Sequence, residues 1–90
     1  SVFDARFVLT NKSIMFNYSL ENCSRVSLLI YNLQGNLIAP VISSIKQSRG
    51  DYKVTWQIDN KISTGVYFAI LKIDTPNKST TYKKKLILWR

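Results

Sequence analysis

Apolar residues recur at every second position through most of this chain, and this period restricts the possible folds more than any other feature. In the clearest stretch, Tyr52, Val54, Trp56 and Ile58 alternate with polar residues. Alternation with period two places one face of a β-strand in a core and the other in solvent. Because no stretch follows the helical period, the sequence predicts an all-β protein.

Period-two segments separated by turns rich in Gly, Asn, Ser and Pro predict seven strands. Pro40 marks the fourth as an edge strand because proline has no N–H for a ladder, and Gly35 is predicted to take a positive φ in the turn before it. The sixth is apolar at both parities, which predicts a central strand covered on most of its length. Residues 42–49 fit either a short edge strand or an irregular crossing. The seven segments are residues 3–9, 14–20, 26–31, 37–39, 52–58, 66–73 and 80–89.

Seven short strands with such turns indicate an immunoglobulin-like antiparallel β-sandwich, with a small closed barrel as the alternative. Ninety residues suffice for one small domain, so we expect residues 1–90 to form a single sandwich. The chain opens with Ser-Val-Phe-Asp, without a methionine or a charged and apolar leader. This opening indicates a processed product or a fragment of a longer protein. No apolar run is long enough to span a bilayer as a helix.

Composition excludes several kinds of chemistry. The chain has 13 Lys and Arg against 5 Asp and Glu, no histidine and one cysteine, Cys23, with a net charge of +8. Histidine catalysis, a zinc site of Cys and His ligands and a disulfide within the chain are therefore impossible. The five acidic residues fall in or beside predicted turns or at solvent positions, and Cys23 has no histidine to activate it. We expect no catalytic activity, no metal and no cofactor.

Aromatic residues offer the first candidate binding surface. Trp56 shares its parity with a core-facing set and is expected to be buried, whereas Trp89 shares the parity of Lys83 and Lys85 and is as readily exposed as buried. Tyr31 and Tyr67 are assigned the parity opposite to the most apolar set of their strands. Capping a sheet edge is the favoured role for both, and a sugar-stacking platform is the alternative.

Basic residues near the C-terminus offer the second candidate surface. A positive stripe beside the last two strands would attract phosphate, whether on nucleic acid or on lipid A and core sugars of an outer membrane. Nucleic acid is the less favoured of these because its readers interleave aromatic with basic residues more fully. The simpler interpretation is that strand-edge lysines discourage edge-to-edge pairing. The stripe would contain Lys72, Lys78, Lys83, Lys84, Lys85 and Arg90.

Five segments in order also resemble a known family. They are residues 14–20, residues 26–38 with the Ile-Tyr-Asn-x-x-Gly turn, the Gly-x-Tyr-x-Val-x-Trp strand of residues 50–56, the Thr-Gly-Val-Tyr-Phe entry of residues 64–68, and residues 84–88. Across about residues 9–90 the chain resembles the C-terminal immunoglobulin-like sorting domains of type IX secretion substrates. It is also similar to the related immunoglobulin-like domain of the flagellar hook-capping protein. Asn11-Lys12 stands where the family often has Asn-Pro, and the short loop of residues 57–61 looks more like the sorting domains.

The resemblance implies a C-terminal module of a larger secreted or cell-surface bacterial protein, associated with the outer membrane. Its implied partners are the outer-membrane secretion machinery, which recognises the last strands, or an anionic glycolipid of the cell envelope. Lys83, Lys84, Lys85, Trp89 and Arg90 are then the candidate recognition residues. Two alternatives remain open. A carbohydrate-binding accessory module of a secreted hydrolase would place Tyr31, Tyr67 and Trp89 on one flat face, and a structural assembly domain of hook-cap type would self-associate.

Overall fold

The computed structural model describes residues 3–88 and confirms the all-β prediction. Each strand is the period-two segment expected, lengthened or shortened by a few residues, except for the fourth. The strands are β1 (Phe3–Val8), β2 (Ser13–Leu20), β3 (Ser24–Asn32), β4 (Leu37–Gln47), β5 (Gly50–Gln57), β6 (Gly65–Asp74) and β7 (Ser79–Leu88).

The strands form two antiparallel sheets that pack as an immunoglobulin-like sandwich. One sheet has the order β1-β2-β5 and the other has the order β4-β3-β6-β7. In constant-type immunoglobulin domains the fourth strand lies in the sheet of the first, second and fifth. Here β4 pairs with β3 instead, which leaves three strands in one layer and four in the other.

The core lies between the two layers and is built from alternate side chains of the strands. Phe16 at the centre of β2 is fully buried and stacks on Phe3 of β1, with ring centroids 6.0 Å apart. Trp56 is half-buried and packs against the core, in line with its predicted parity. The remaining buried apolar side chains are Ile14, Tyr18, Leu20, Val26, Leu28, Ile30, Ile42, Ile58, Tyr67, Ala69, Leu71, Leu86 and Leu88.

The fourth strand differs from its prediction. Residues 37–47 form one continuous edge strand that includes Pro40 and the segment that the sequence left undecided. Its pairing with β3 shifts register at three places, and Ser44 has a φ of 53°. Bulges of this kind interrupt the alternation of side chains, so a period-two search divides one strand into two. The predicted edge position of Pro40 is confirmed.

Strand β6 is central, as predicted, but it is not covered on both sides. Tyr67, Ala69 and Leu71 are buried against the other sheet, whereas Val66, Phe68 and Ile70 point away from it and are half-buried. Within residues 3–88 the sandwich has two layers and no third layer over this side. The expected cover therefore exists on one face only.

A pair of tyrosines joins the layers at one end of the sandwich. Tyr18 and Tyr52 stack with centroids 5.4 Å apart, the Tyr18 hydroxyl donates to Oε1 of Gln47 (2.6 Å), and that of Tyr52 donates to the Ser48 carbonyl. Burial raises the pKa of Tyr18 above its ordinary value of 10.0, and Tyr52 adds to this. The Gln47 amide lowers the pKa of Tyr18 instead, because the amide can turn and donate a hydrogen bond to the phenolate.

The described chain enters and leaves the sandwich at opposite ends. Phe3 pairs with Tyr18 near the end of β2, whereas Leu88 pairs with Gly65 at the start of β6. The β6–β7 hairpin turns at the Phe3 end, where Asp74 pairs with Ser79. The molecule measures 39 × 28 × 20 Å, and its longest dimension fits strands of ten residues at about 3.3 Å each.

Candidate docking face on the four-stranded sheet

The side of the four-stranded sheet that points away from the core is called the outer face here. Strand register places its side chains in rows across β4, β3, β6 and β7. One row runs Leu37, Tyr31, Phe68, Lys85, and the next runs Pro40, Leu29, Ile70, Lys83. Val66 and Ile87 form a third pair beside the first row. In these rows the outer face is apolar on β4, β3 and β6, and β7 adds Ile87 together with the basic Lys83 and Lys85.

The apolar part of the outer face is continuous and accessible. Leu37 and Ile87, at its two borders, are 52% and 54% exposed. Tyr31, Phe68 and Leu29 lie between them and are half-buried by their neighbours within the sheet. Single exposed apolar residues are ordinary, but a contiguous group of this kind marks an interaction surface in soluble proteins.

Lysines frame the apolar rows on the β7 side. Lys83 Nζ lies 4.5 Å from the centroid of the Phe68 ring, a cation–π contact that holds the ammonium over the apolar row. Lys85 projects from the same face two residues further along. Asp74, at the far end of β6, accepts a hydrogen bond from the Ser79 hydroxyl. The rows that contain Lys83 and Lys85 contain no acidic residue, so this border is uniformly positive.

The structure divides the predicted basic stripe. Lys83 and Lys85 lie on the outer face, and Lys72 occupies the next row of it. Lys84 has the opposite parity and reaches toward β1, where its Nζ lies 3.9 Å from Oδ1 of Asp4. Three consecutive lysines on a strand cannot share a face, because successive side chains point to opposite sides. Lys78 lies in the β6–β7 turn, away from the outer face.

The parity predicted for Tyr67 is wrong, and the sugar-stacking platform that was the alternative role for Tyr31 and Tyr67 does not form. Tyr67 lies on the core side of β6, is buried at 7% exposure, and donates its hydroxyl to the Ser63 carbonyl at 2.8 Å. Tyr31 lies on the outer face, so the two rings are on opposite sides of one sheet and form no common platform. Trp89 and Arg90, the other two predicted site residues, lie outside the described residues. The side chains that sequence reasoning missed are Leu29, Phe68 and Ile70. The available signals were apolar residues at both parities, in residues 28–30 for Leu29 and in residues 66–71 for Phe68 and Ile70.

Other candidate chemistry is sparse in the part of the chain that the structure describes. Residues 3–88 contain no group of three or more His, Cys, Asp or Glu that could hold a metal ion. Cys23 is exposed in the turn between β2 and β3. Among the described residues no helix has the length and hydropathy to cross a membrane. No protein-family model matches the sequence, and no curated protein matches it.

Proposed function

We propose that this chain is a non-catalytic C-terminal module that directs the secretion or cell-surface anchoring of a larger bacterial protein. In this proposal the outer face docks onto the outer-membrane secretion machinery. The observation that supports it most is the open apolar face of β3, β4 and β6, framed by Lys83 and Lys85 of β7. The sequence resemblance to sorting domains, in which the last strands are recognised, points to the same strand.

The make-up of the outer face fits a protein partner better than a lipid headgroup. Protein interfaces combine a dry apolar centre, enriched in aromatic residues, with a polar or charged rim. Tyr31 and Phe68 supply such a centre, and Lys83 and Lys85 supply one side of the rim. A headgroup phosphate needs cations clustered around one point, whereas Lys85, Lys83 and Lys72 occupy three successive rows of the outer face.

The positive charge of the chain and of its β7 border indicates which kind of partner would bind the outer face. The chain carries a net charge of +8, and the β7 border of the outer face is positive. A second copy of the chain would bring like charges together, which opposes face-to-face pairing. The proposed occupant is therefore an apolar protein surface with an acidic rim, to which the lysines steer the encounter.

Export of a reporter tests the proposal. Residues 1–90 are fused to the end of a periplasmic reporter in a bacterium with type IX secretion, and reporter is measured at the cell surface and in the medium. We expect export by the wild-type fusion and a loss of about tenfold or more when Lys83 and Lys85 are both changed to Glu, because rim charges act on the encounter rate. Lys53→Glu combined with Lys61→Glu is the matched control, since it changes the same number of charges at exposed lysines outside the four-stranded sheet.

The outcomes separate the parts of the proposal. A wild-type reporter that stays folded in the periplasm refutes the sorting function. Export by the Lys83 and Lys85 variant equal to that by the Lys53 and Lys61 control refutes docking through the outer face. Binding of the purified chain to vesicles that contain lipid A, lost in the Lys83 and Lys85 variant, would refute the protein partner in favour of a glycolipid. A dimer in sedimentation equilibrium would refute it in favour of an assembly domain of hook-cap type.

A further inference from the structure

A cleft of about 470 Å³ opens at the end of the sandwich where the described chain enters. We call it the end cleft. It lies between the β2–β3 turn at residues 21–23 and the β6–β7 turn at residues 75–78, with Thr80 and Tyr82 of β7 on one wall. Its volume is within the range of about 300–1,000 Å³ that is usual for small-molecule sites.

Strand register locates the end cleft beside the β6–β7 hairpin. Phe3 pairs with Tyr18, and β1 faces β7 near the Asp4–Lys84 ion pair. The hairpin continues past that point to the pair Asp74–Ser79. On its inner side Thr80 and Tyr82 are half-buried, and the Tyr82 ring packs on the core with one part and lines the end cleft with another.

Hydrogen bonds fix the backbone of both turns beside the end cleft without using the side-chain amides of Asn22 and Asn77. Thr75 closes the β6–β7 turn by bonding both the N–H and the carbonyl of Lys78. The Ser24 hydroxyl donates to the Asn22 carbonyl and holds the β2–β3 turn. Within residues 3–88 the side-chain amides of Asn22 and Asn77 have no hydrogen-bond partner. Each amide offers two donors and one acceptor on a backbone that is already fixed.

The lining is amphipathic and electrically balanced. Leu20, Ile73 and the Tyr82 ring supply apolar surface, while the amides and hydroxyls supply hydrogen bonds. One acid, Glu21, and one base, Lys78, lie on the rim and do not pair with each other. In a chain of net charge +8 this balance does not select for anions.

We propose that the end cleft binds a neutral carbohydrate. A sugar ring presents hydroxyl groups that both donate and accept, and it presents a C–H face that packs on an aromatic ring. Asn22 and Asn77 are placed to bond the hydroxyls, and Tyr82 is placed to receive the apolar face. This site is separate from the outer face and does not depend on the function proposed above.

Titration of the full chain with defined sugars tests the site. Amide resonances of the ¹⁵N-labelled protein are followed by NMR with millimolar maltotriose, cellotriose, xylotriose, mannotriose or tri-N-acetylchitotriose, and separately with inorganic phosphate. We expect at least one sugar to shift the amides of residues 20–24 and 75–82. Tyr82→Ala is expected to weaken that binding about tenfold or more, and Asn77→Ala several-fold.

Two variants keep the test decisive. Tyr31→Ala removes an aromatic ring from the outer face and is expected to leave sugar affinity unchanged. Asn77 is exposed in a turn, so Asn77→Ala remains informative if Tyr82→Ala fails to fold. The site is refuted if no sugar shifts these amides, if phosphate alone shifts them, or if Tyr31→Ala abolishes binding while Asn77→Ala does not. Asn77→Ala is also tested in the export assay. Export of the reporter at the wild-type level by this variant would show that the sugar site and the proposed sorting function fail or succeed independently.

Discussion

The last two residues of β7, Ile87 and Leu88, test whether the outer face is open to solvent. Leu88 points into the core and is fully buried, whereas its neighbour Ile87 points outward and is 54% exposed. Each is changed to Ala in turn. Because the two positions are adjacent on one strand and receive the same new residue, the difference between the variants reports mainly on burial.

The expected magnitudes follow from those exposures. Truncating a fully buried Leu to Ala costs about 2–5 kcal/mol, from lost transfer energy and the cavity left behind. Ile87 has about half of its surface to lose and leaves no enclosed cavity, so Ile87→Ala is expected to cost about 1 kcal/mol, including the weaker strand preference of Ala. The variants should therefore differ by about 1–4 kcal/mol, with Leu88→Ala the less stable.

Urea unfolding followed by tryptophan fluorescence measures this difference, and thermal unfolding checks it. In a domain of this size about 2 kcal/mol corresponds to a difference in Tm of about 8–16 °C. Equal destabilisation by the two variants would show that Ile87 is packed as tightly as Leu88. That result would refute the open outer face and, with it, the reasoning for a docking surface.

Three further changes test other contacts. Tyr18→Phe removes the hydrogen bond to Gln47 and should lower the free energy of unfolding by about 0.5–1.5 kcal/mol at neutral pH, measured in urea. Because the folded pKa of Tyr18 lies above 10.0, the stability that this tyrosine contributes is complete below pH 10 and is lost as pH rises through the folded pKa. In that range the free energy of unfolding of the wild type should fall more steeply with pH than that of Tyr18→Phe. Parallel curves of stability against pH would contradict this. Gly35→Ala should cost about 1–2 kcal/mol, because Gly35 has a φ of 88° that an L-residue adopts under strain, although no atom blocks the new methyl group; an unchanged urea midpoint would contradict it. Lys84→Gln should change stability by less than about 1 kcal/mol, since its ion pair with Asp4 is exposed, and a larger loss would contradict that interpretation.

Sequence reasoning was most accurate where alternation was strict. In β5 the side chains of Tyr52, Val54 and Trp56 are the inward set, as their parity predicts. In β6 residues 66–71 are apolar or aromatic at both parities, and Tyr67 was assigned to the wrong side although Lys72 marks the outer parity of the strand. Its buried hydroxyl reaches a carbonyl only four residues before it, and that contact depends on the path of the preceding loop. Until the path of that loop is known, an aromatic side chain with a polar hydroxyl can be assigned to either face of the sheet.

Neither candidate site could be read completely from the sequence. The outer face depends on which neighbours β6 has, because Phe68 meets Tyr31 and Lys85 only once strand order and register are set. The end cleft brings residues 19–24 together with residues 73–82. These segments meet only once the β2–β3 and β6–β7 turns lie at the same end of the sandwich, and that placement leaves no local signal in composition or period.

The entry of the chain at Phe3 and its exit at Leu88 determine how the module responds to force. These residues lie at opposite ends of a body 39 Å long, and β1 and β7 belong to different layers. A pull that separates them acts along the strands, so the backbone hydrogen bonds of β1 with β2 and of β7 with β6 are loaded together in shear rather than opened one at a time. A cargo carried before Phe3 would then be tethered through a mechanically stiff link whose resistance comes from its first and last strands.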